Sequence, residues 1–130
     1  MPAYGTLTIP PGLLPGDSYN VWNDELLTLG VASERVALAV KDGQSATPYK
    51  VALIFSGAPG AIQFDVQESS TDDVASDYSV APNGSITTVD AGTGTTAIYE
   101  GTSNNAKWVR IMPRTFANIG SVTVEASVLR

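Results

Sequence analysis

The sequence predicts an all-β domain, a sandwich or barrel of short strands, on three observations. Apolar side chains recur every second residue in several segments, turn-forming pairs separate those segments at roughly 8 to 12 residue spacing, and no stretch carries a sustained helical period. The clearest segment is the last one. In Ser121 to Leu129 the apolar Val122, Val124, Ala126 and Val128 alternate with Ser121, Thr123, Glu125 and Ser127, the period of a half-buried strand. Its strength at the end of the chain predicts a final strand pinned inside a sheet. Before it, Lys107 to Met112 reads as a second amphipathic strand, joined to the last by a connection from Pro113 to Gly120.

The remaining elements follow in order. Pro2, Pro10, Pro11 and Pro15, with Gly5, Gly12 and Gly16, exclude a helix before residue 19 and favour extended or turning backbone. Residues 1–19 therefore form an extended arm and residues 20–130 the folded domain. The arm carries Tyr4, Leu7, Ile9, Leu13 and Leu14, apolar groups that gain free energy when covered. Two placements fit: an edge strand and loop on its own domain, or an arm laid across a neighbouring subunit. Ser18 to Trp22 and Leu26 to Val31 read as short strands around an Asn23-Asp24-Glu25 turn, with a helix as the less supported alternative. Arg35 to Val40 reads as a buried strand closed by Asp42-Gly43, a favoured tight-turn pair.

Tyr49 to Phe55 and Ala61 to Gln67 read as adjacent strands separated by Ser56-Gly57-Ala58-Pro59-Gly60. The second alternates Ile62, Phe64 and Val66 against Gln63, Asp65 and Gln67. Glu68 to Asp77 reads as an acidic loop or a single helical turn. Pro82-Asn83-Gly84 marks a turn before a strand from Ser85 to Val89, and Gly92-Thr93-Gly94 another before Thr95 to Tyr99. A chain of 130 residues fits one domain, and no 20 to 50 residue repeat suggests a solenoid or propeller.

Composition narrows the function. With no cysteine the chain forms neither disulfides nor thiolate metal sites, so packing, strand pairing and subunit contacts must hold it together. With no histidine it lacks the usual neutral-pH general base, which rules out Ser-His and Cys-His catalysis. A net charge of -6 opposes direct nucleic-acid binding and attraction to anionic lipid. No apolar run reaches the roughly 20 residues of a membrane helix, and the start lacks the pattern of a signal peptide. The expectation is a protein made in the cytoplasm, with neither membrane nor nucleic acid as partner.

Candidate sites are few. Glu68, Ser69, Ser70, Thr71, Asp72, Asp73 and Asp77 cluster hard oxygen donors suited to calcium, but the spacing departs from an EF-hand loop, and the stretch reads as solvated. No metal, cofactor or catalytic residue is assigned. Asp65, Glu68, Glu100 and Glu125 are the carboxylates from which a hydrolase pair would be drawn. Nothing in their spacing sets two across a cleft, so the chain is read as a non-enzyme. Trp22, Trp108, Tyr4, Tyr19, Tyr49, Tyr78 and Tyr99 would supply a sugar-binding platform if exposed, although core packing is the commoner fate. Alternation sets Trp108 with Arg110 and Met112 on the face opposite Val109 and Ile111, a face suited to a partner or to the rim of a sandwich. Asn83-Gly84-Ser85 fits the glycosylation pattern but reads as a turn.

The run from Phe55 through Gln67, the acidic Asp72 to Tyr78 stretch, Lys107 to Ile111 and the closing Val-Thr-Val strand resemble the small capsid decoration, or cement, proteins of tailed bacteriophages. The resemblance covers about residues 50 to 130 and rests on arrangement. It implies an all-β single-domain β-sandwich, jelly-roll-like, on the capsid exterior of the virion, working as a dimer or trimer. Its partner would be the major capsid protein, and its role to stabilise contacts between neighbouring capsid subunits. On that reading the partner-binding residues are Tyr4, Leu7, Ile9, Leu13 and Leu14, with Trp108 and Arg110. The alternative is a phage tail-associated or carbohydrate-binding β-sandwich module.

Overall fold

The computed structural model describes residues 18–38, 49–69, 78–91, 96–101 and 106–130. They form eight strands: β1 (Ser18–Glu25), β2 (Val36–Ala37), β3 (Lys50–Phe55), β4 (Gly60–Ser69), β5 (Ser79–Ala91), β6 (Thr96–Glu100), β7 (Trp108–Phe116) and β8 (Val124–Leu129). No helix occurs among the described residues. Two four-stranded sheets face each other, with orders β1-β8-β3-β6 and β2-β7-β4-β5. Every paired neighbour is antiparallel. Only β4 and β5 are consecutive strands paired in one sheet; every other connection that links strands crosses between sheets or skips a neighbour. That is the connectivity of a jelly roll, and the chain folds as the β-sandwich its strand pattern predicts.

Alternation decides what goes inside. Along β8 and the residue pair before it, Val122, Val124, Ala126 and Val128 are buried, while Thr123, Glu125, Ser127 and Leu129 are half-buried. β8 lies between β1 and β3, so the C-terminal strand is pinned in the sheet as its pattern requires. On β4, Ile62, Phe64 and Val66 point into the core. The two sheets meet through rings. Phe64 lies with centroids 6.2 Å from Trp22 of β1, 5.9 Å from Phe55 of β3 and 5.8 Å from Phe116 of β7. Phe55 and Phe116 themselves meet edge to face at 5.7 Å. Aromatic pairs in such offset and T-shaped arrangements contribute beyond their buried area.

Several local expectations are corrected. Tyr49–Phe55 and Ala61–Gln67 yield β3 and β4, which belong to opposite sheets rather than lying side by side. The Ser56 to Pro59 segment carries the chain across, and Ser56 N–H donates to Thr123 O at 3.0 Å on the way. The Asn23-Asp24-Glu25 turn is absorbed into β1, which runs on to Glu25 with two register shifts and with Asp24 at φ 52°. Leu26–Val31 forms no strand, because its backbone bends at Gly30, φ 79°, and Val31 N–H turns back to Thr28 O. β1 also starts at Ser18, so the last two residues assigned to the arm belong to the sheet.

Two predicted turns are irregularities within strands. Pro82-Asn83-Gly84 lies inside β5, where pairing with β4 jumps from Asp65↔Ser85 to Gln67↔Val80. The extra residues bulge, Asn83 takes φ 57°, and a Cβ at Gly84 would stand 2.8 Å from the carbonyl oxygens of Ala81 and Val66. Only glycine fits there. β7 continues through Pro113 to Phe116, past the predicted end at Met112. A register shift opposite Gln63 and Phe64 leaves Arg114 outside the ladder, and a bulge is where a strand tolerates proline. The turns predicted at residues 42–43 and 92–94 and the acidic stretch 70–77 lie outside the described residues.

Because Phe64 touches rings from both sheets and has no exposed surface, Phe64→Ala is expected to destabilise the domain by about 3–5 kcal/mol. Urea unfolding followed by tryptophan fluorescence measures it; a loss below about 1 kcal/mol would mean the rings do not hold the sheets together.

Candidate functional site

The residues singled out from sequence fall in three places. Tyr4, Leu7, Ile9, Leu13 and Leu14 lie outside the described residues. Trp108 and Arg110 lie on the outer face of the β2-β7-β4-β5 sheet, because Val109 and Ile111, which alternate with them, are buried in the core. The alternation of β7 therefore holds as expected, and the face it creates carries several cross-strand polar contacts.

On that face Arg110 Nε donates to Gln67 Oε1 at 2.7 Å, and the guanidinium carbon lies 4.2 Å from the Tyr78 ring centroid. Arg35 stacks 5.7 Å from the ring of Trp108. Asp65 accepts from Arg114 Nε at 3.0 Å and from Ser85 Oγ at 2.8 Å. The strand register makes these contacts: Gln67 stands opposite Arg110, and Asp65 opposite Ser85. Guanidinium over an aromatic face is worth about 0.5–2 kcal/mol depending on desolvation. Arg110 is nearly fully buried, so it acts first as a cross-strand brace of this sheet and offers a partner little surface. Trp108 is half-buried and keeps part of its ring accessible.

Beside this face runs an edge that sequence reasoning did not single out. The chain from Gly30 to Leu38 follows β7: Gly30 N–H donates to Pro113 O at 2.9 Å, Ser33 N–H to Ile111 O at 2.8 Å and Leu38 N–H to Lys107 O at 2.8 Å. Ser33 Oγ accepts from Ile111 N–H at 2.9 Å, and Tyr19 Oη donates to Glu34 Oε2 at 3.3 Å. Where the chain enters this segment, Leu26 (60% exposed), Leu29 (45%) and Val31 (59%) stand in solvent. Three large apolar side chains are thus exposed within six residues, a density that makes this loop the candidate contact surface. The apolar run Leu26 to Val31 suggested a strand, which would have buried alternate members. The turn at Gly30 exposes them instead.

The carboxylates do not assemble a catalytic pair. Asp65 and Glu68 point to opposite faces of β4, as their odd spacing requires. Glu100 sits on the outer face of the other sheet, 3.6 Å from Lys50 Nζ, and Glu125, opposite Ile54, shares that face. Glu68 is turned inward and accepts a hydrogen bond from Tyr49 Oη. Tyr49 packs against Tyr99, whose hydroxyl donates to Pro82 O at 2.7 Å. Among the described residues no group of three or more acidic side chains is placed to hold a metal; Glu68 and Ser69 are in β4, and the rest of the predicted acidic cluster lies outside the described residues. Of the aromatic residues that would form a sugar platform, Trp22, Tyr49, Tyr78 and Tyr99 are buried, and Tyr19 and Trp108 are half-buried.

No family model matches the chain. No curated protein matches it either. Among solved structures it is similar to the K3 cleaved adhesin domain of Lys-gingipain from Porphyromonas gingivalis w83, with 12% identity and a TM-score of 0.43 over 87% of this chain and 73% of that one. No helix among the described residues is long and apolar enough to cross a membrane.

Burial first, then the hydrogen bond to Glu68 and its charge, push the Tyr49 phenol well above its ordinary value of 10.0. Burial and the Glu68 charge push Tyr99 up as well. A phenol that is harder to ionise folded than unfolded stabilises the fold fully below pH 10 and loses that contribution as pH rises above it. Alkaline unfolding is therefore expected to coincide with the ionisation of these tyrosines, seen together by absorbance and circular dichroism. Tyr49→Phe, which leaves the Glu68 carboxylate buried without its donor, is expected to cost about 1–3 kcal/mol at neutral pH. Ionisation of both phenols near pH 10 in the folded protein would contradict this cluster.

Proposed function

We propose that the chain is a non-enzymatic structural protein of a tailed-phage particle. It binds the outer surface of the assembled head and stabilises contacts between major capsid subunits. One observation supports the binding role: Leu26, Leu29 and Val31 stand exposed where the chain turns into the segment from Gly30 to Leu38 that is hydrogen-bonded along β7. Covering them is favourable in proportion to the apolar area removed from water, and the bonds made by Gly30 and Val31 reduce the conformational entropy lost on docking. The capsid assignment itself comes from the resemblance of residues 50 to 130 to decoration proteins, and a jelly roll is a fold used in viral shells.

The proposed mechanism is multivalent. Each copy offers the loop patch, the accessible part of Trp108 and the apolar side chains Tyr4, Leu7, Ile9, Leu13 and Leu14 of the arm. An oligomer engages several such patches at once, so release requires breaking them together, and avidity exceeds the affinity of any one contact. The acidic surface of an exterior protein keeps it from competing for packaged DNA.

Co-sedimentation with undecorated phage heads tests the reading. Leu29→Asp combined with Val31→Asp alters exposed positions, so the melting temperature is expected to stay within a few degrees while head binding weakens at least about tenfold. Deletion of residues 1–16 is expected to leave a soluble fold and greatly weaken binding. Saturable binding that neither change affects would overturn the assignment of these contacts, and no binding by intact, folded protein would overturn the capsid reading.

A further inference from the structure

We propose that β6 is a self-association edge, through which two copies pair antiparallel about a two-fold axis at Ile98 and extend the β1-β8-β3-β6 sheet into one continuous sheet. The proposal does not depend on which surface the protein decorates.

The first argument is the regularity of this edge. Sheet edges are ordinarily blunted by bulges, charge or brevity, because open backbone groups invite another strand. Three of the four edge strands here are blunted: β1 has two register shifts and a residue at φ 52°, β2 is two residues long, and β5 carries the bulge at Pro82 to Gly84. β6 pairs with β3 from Lys50↔Glu100 to Ile54↔Thr96 without a shift.

The second argument is where its backbone groups point. Gly101 N–H donates to Tyr49 O at 2.8 Å, which sets the phase of the antiparallel ladder. Alternation then directs the N–H and C=O of Ala97 and Tyr99 toward β3, and those of Thr96, Ile98 and Glu100 away from it. Among the described residues no strand lies on that side.

The third argument selects a second copy as the occupant. In an antiparallel pairing centred on Ile98, Thr96 stands opposite the second copy's Glu100, and Ala97 opposite its Tyr99. The outward backbone groups of Thr96, Ile98 and Glu100 then meet their counterparts in register. No like charges are opposed, and Glu100 already has Lys50 3.6 Å away in its own chain. A parallel in-register pairing would set Glu100 beside Glu100, an unfavourable cross-strand contact. Ile98, the most exposed large apolar residue described at 62%, would lie against its own copy, with the 46% exposed Ile54 diagonal to it on β3. The four isoleucines would make one apolar stripe across the joined sheet.

Analytical ultracentrifugation of the full chain tests this, with two variants. Ile98→Lys sets two cations face to face at the axis. Thr96→Pro deletes an N–H that faces the open edge while leaving the bonds to β3 intact, at the first residue of a strand, where proline is tolerated. The protein is expected to sediment as a dimer in the micromolar range, and both variants as monomers with unchanged circular dichroism spectra. Because the chain has no cysteine, Ile98→Cys treated with a short bismaleimide is expected to give a covalent dimer, and Ser121→Cys on an exposed turn is not. A monomer at all concentrations, a trimer, or a dimer that survives both variants would overturn the proposal.

Discussion

Phe64 is the residue on which the rest of the architecture depends. Its ring meets Trp22 and Phe55 of the opposite sheet and Phe116 of its own, and in a chain without disulfides the packing between sheets must hold the domain together. Its inward orientation also fixes the parity of β4. With Phe64 inside, Asp65, Gln67 and Ser69 must face outward and Glu68 inward. The cross-strand brace of Gln67 with Arg110, the pair of Asp65 with Arg114, and the buried contact of Glu68 with Tyr49 are consequences of that choice. A slip of one residue would bury Asp65 and Gln67 against Trp22 and Phe55 and expose Phe64.

The same dependence explains what the sequence revealed. Strands with clean alternation, β8 and the inner half of β4, were legible because side-chain period and burial are the same signal. Sheet membership was not. β3 and β4 are neighbours in sequence and look like a hairpin, yet the alternation pattern says only which face is buried, not which strand is the partner. Turn chemistry misled for a related reason. Asn83-Gly84 and Asp24 adopt the left-handed conformation that their residue types favour, but a bulge uses that conformation as readily as a turn does. Pro113 signalled a strand end and proved to sit beside a register shift.

For the surface, the sequence placed Trp108 and Arg110 on one outward face, which the structure shows, but it could not show that Arg110 is consumed by Gln67 and Tyr78. Those partners are distant in sequence and meet only through register. The loop from Leu26 to Val31 was hidden because its apolar run resembles a strand. Its exposure arises from Gly30 and from hydrogen bonds to β7, neither of which leaves a periodic trace. Two edges among the described residues thus differ in kind: beside β7 a loop displays side chains, whereas β6 displays backbone.

The most direct measurement is a cryo-electron microscopy reconstruction of undecorated phage heads incubated with the purified protein. The account predicts added density on the outer face of the shell that fits the two-sheet domain, with residues 26–31 turned toward the capsid. Heads without added density, or density that meets the shell through the opposite face of the sandwich, would contradict it.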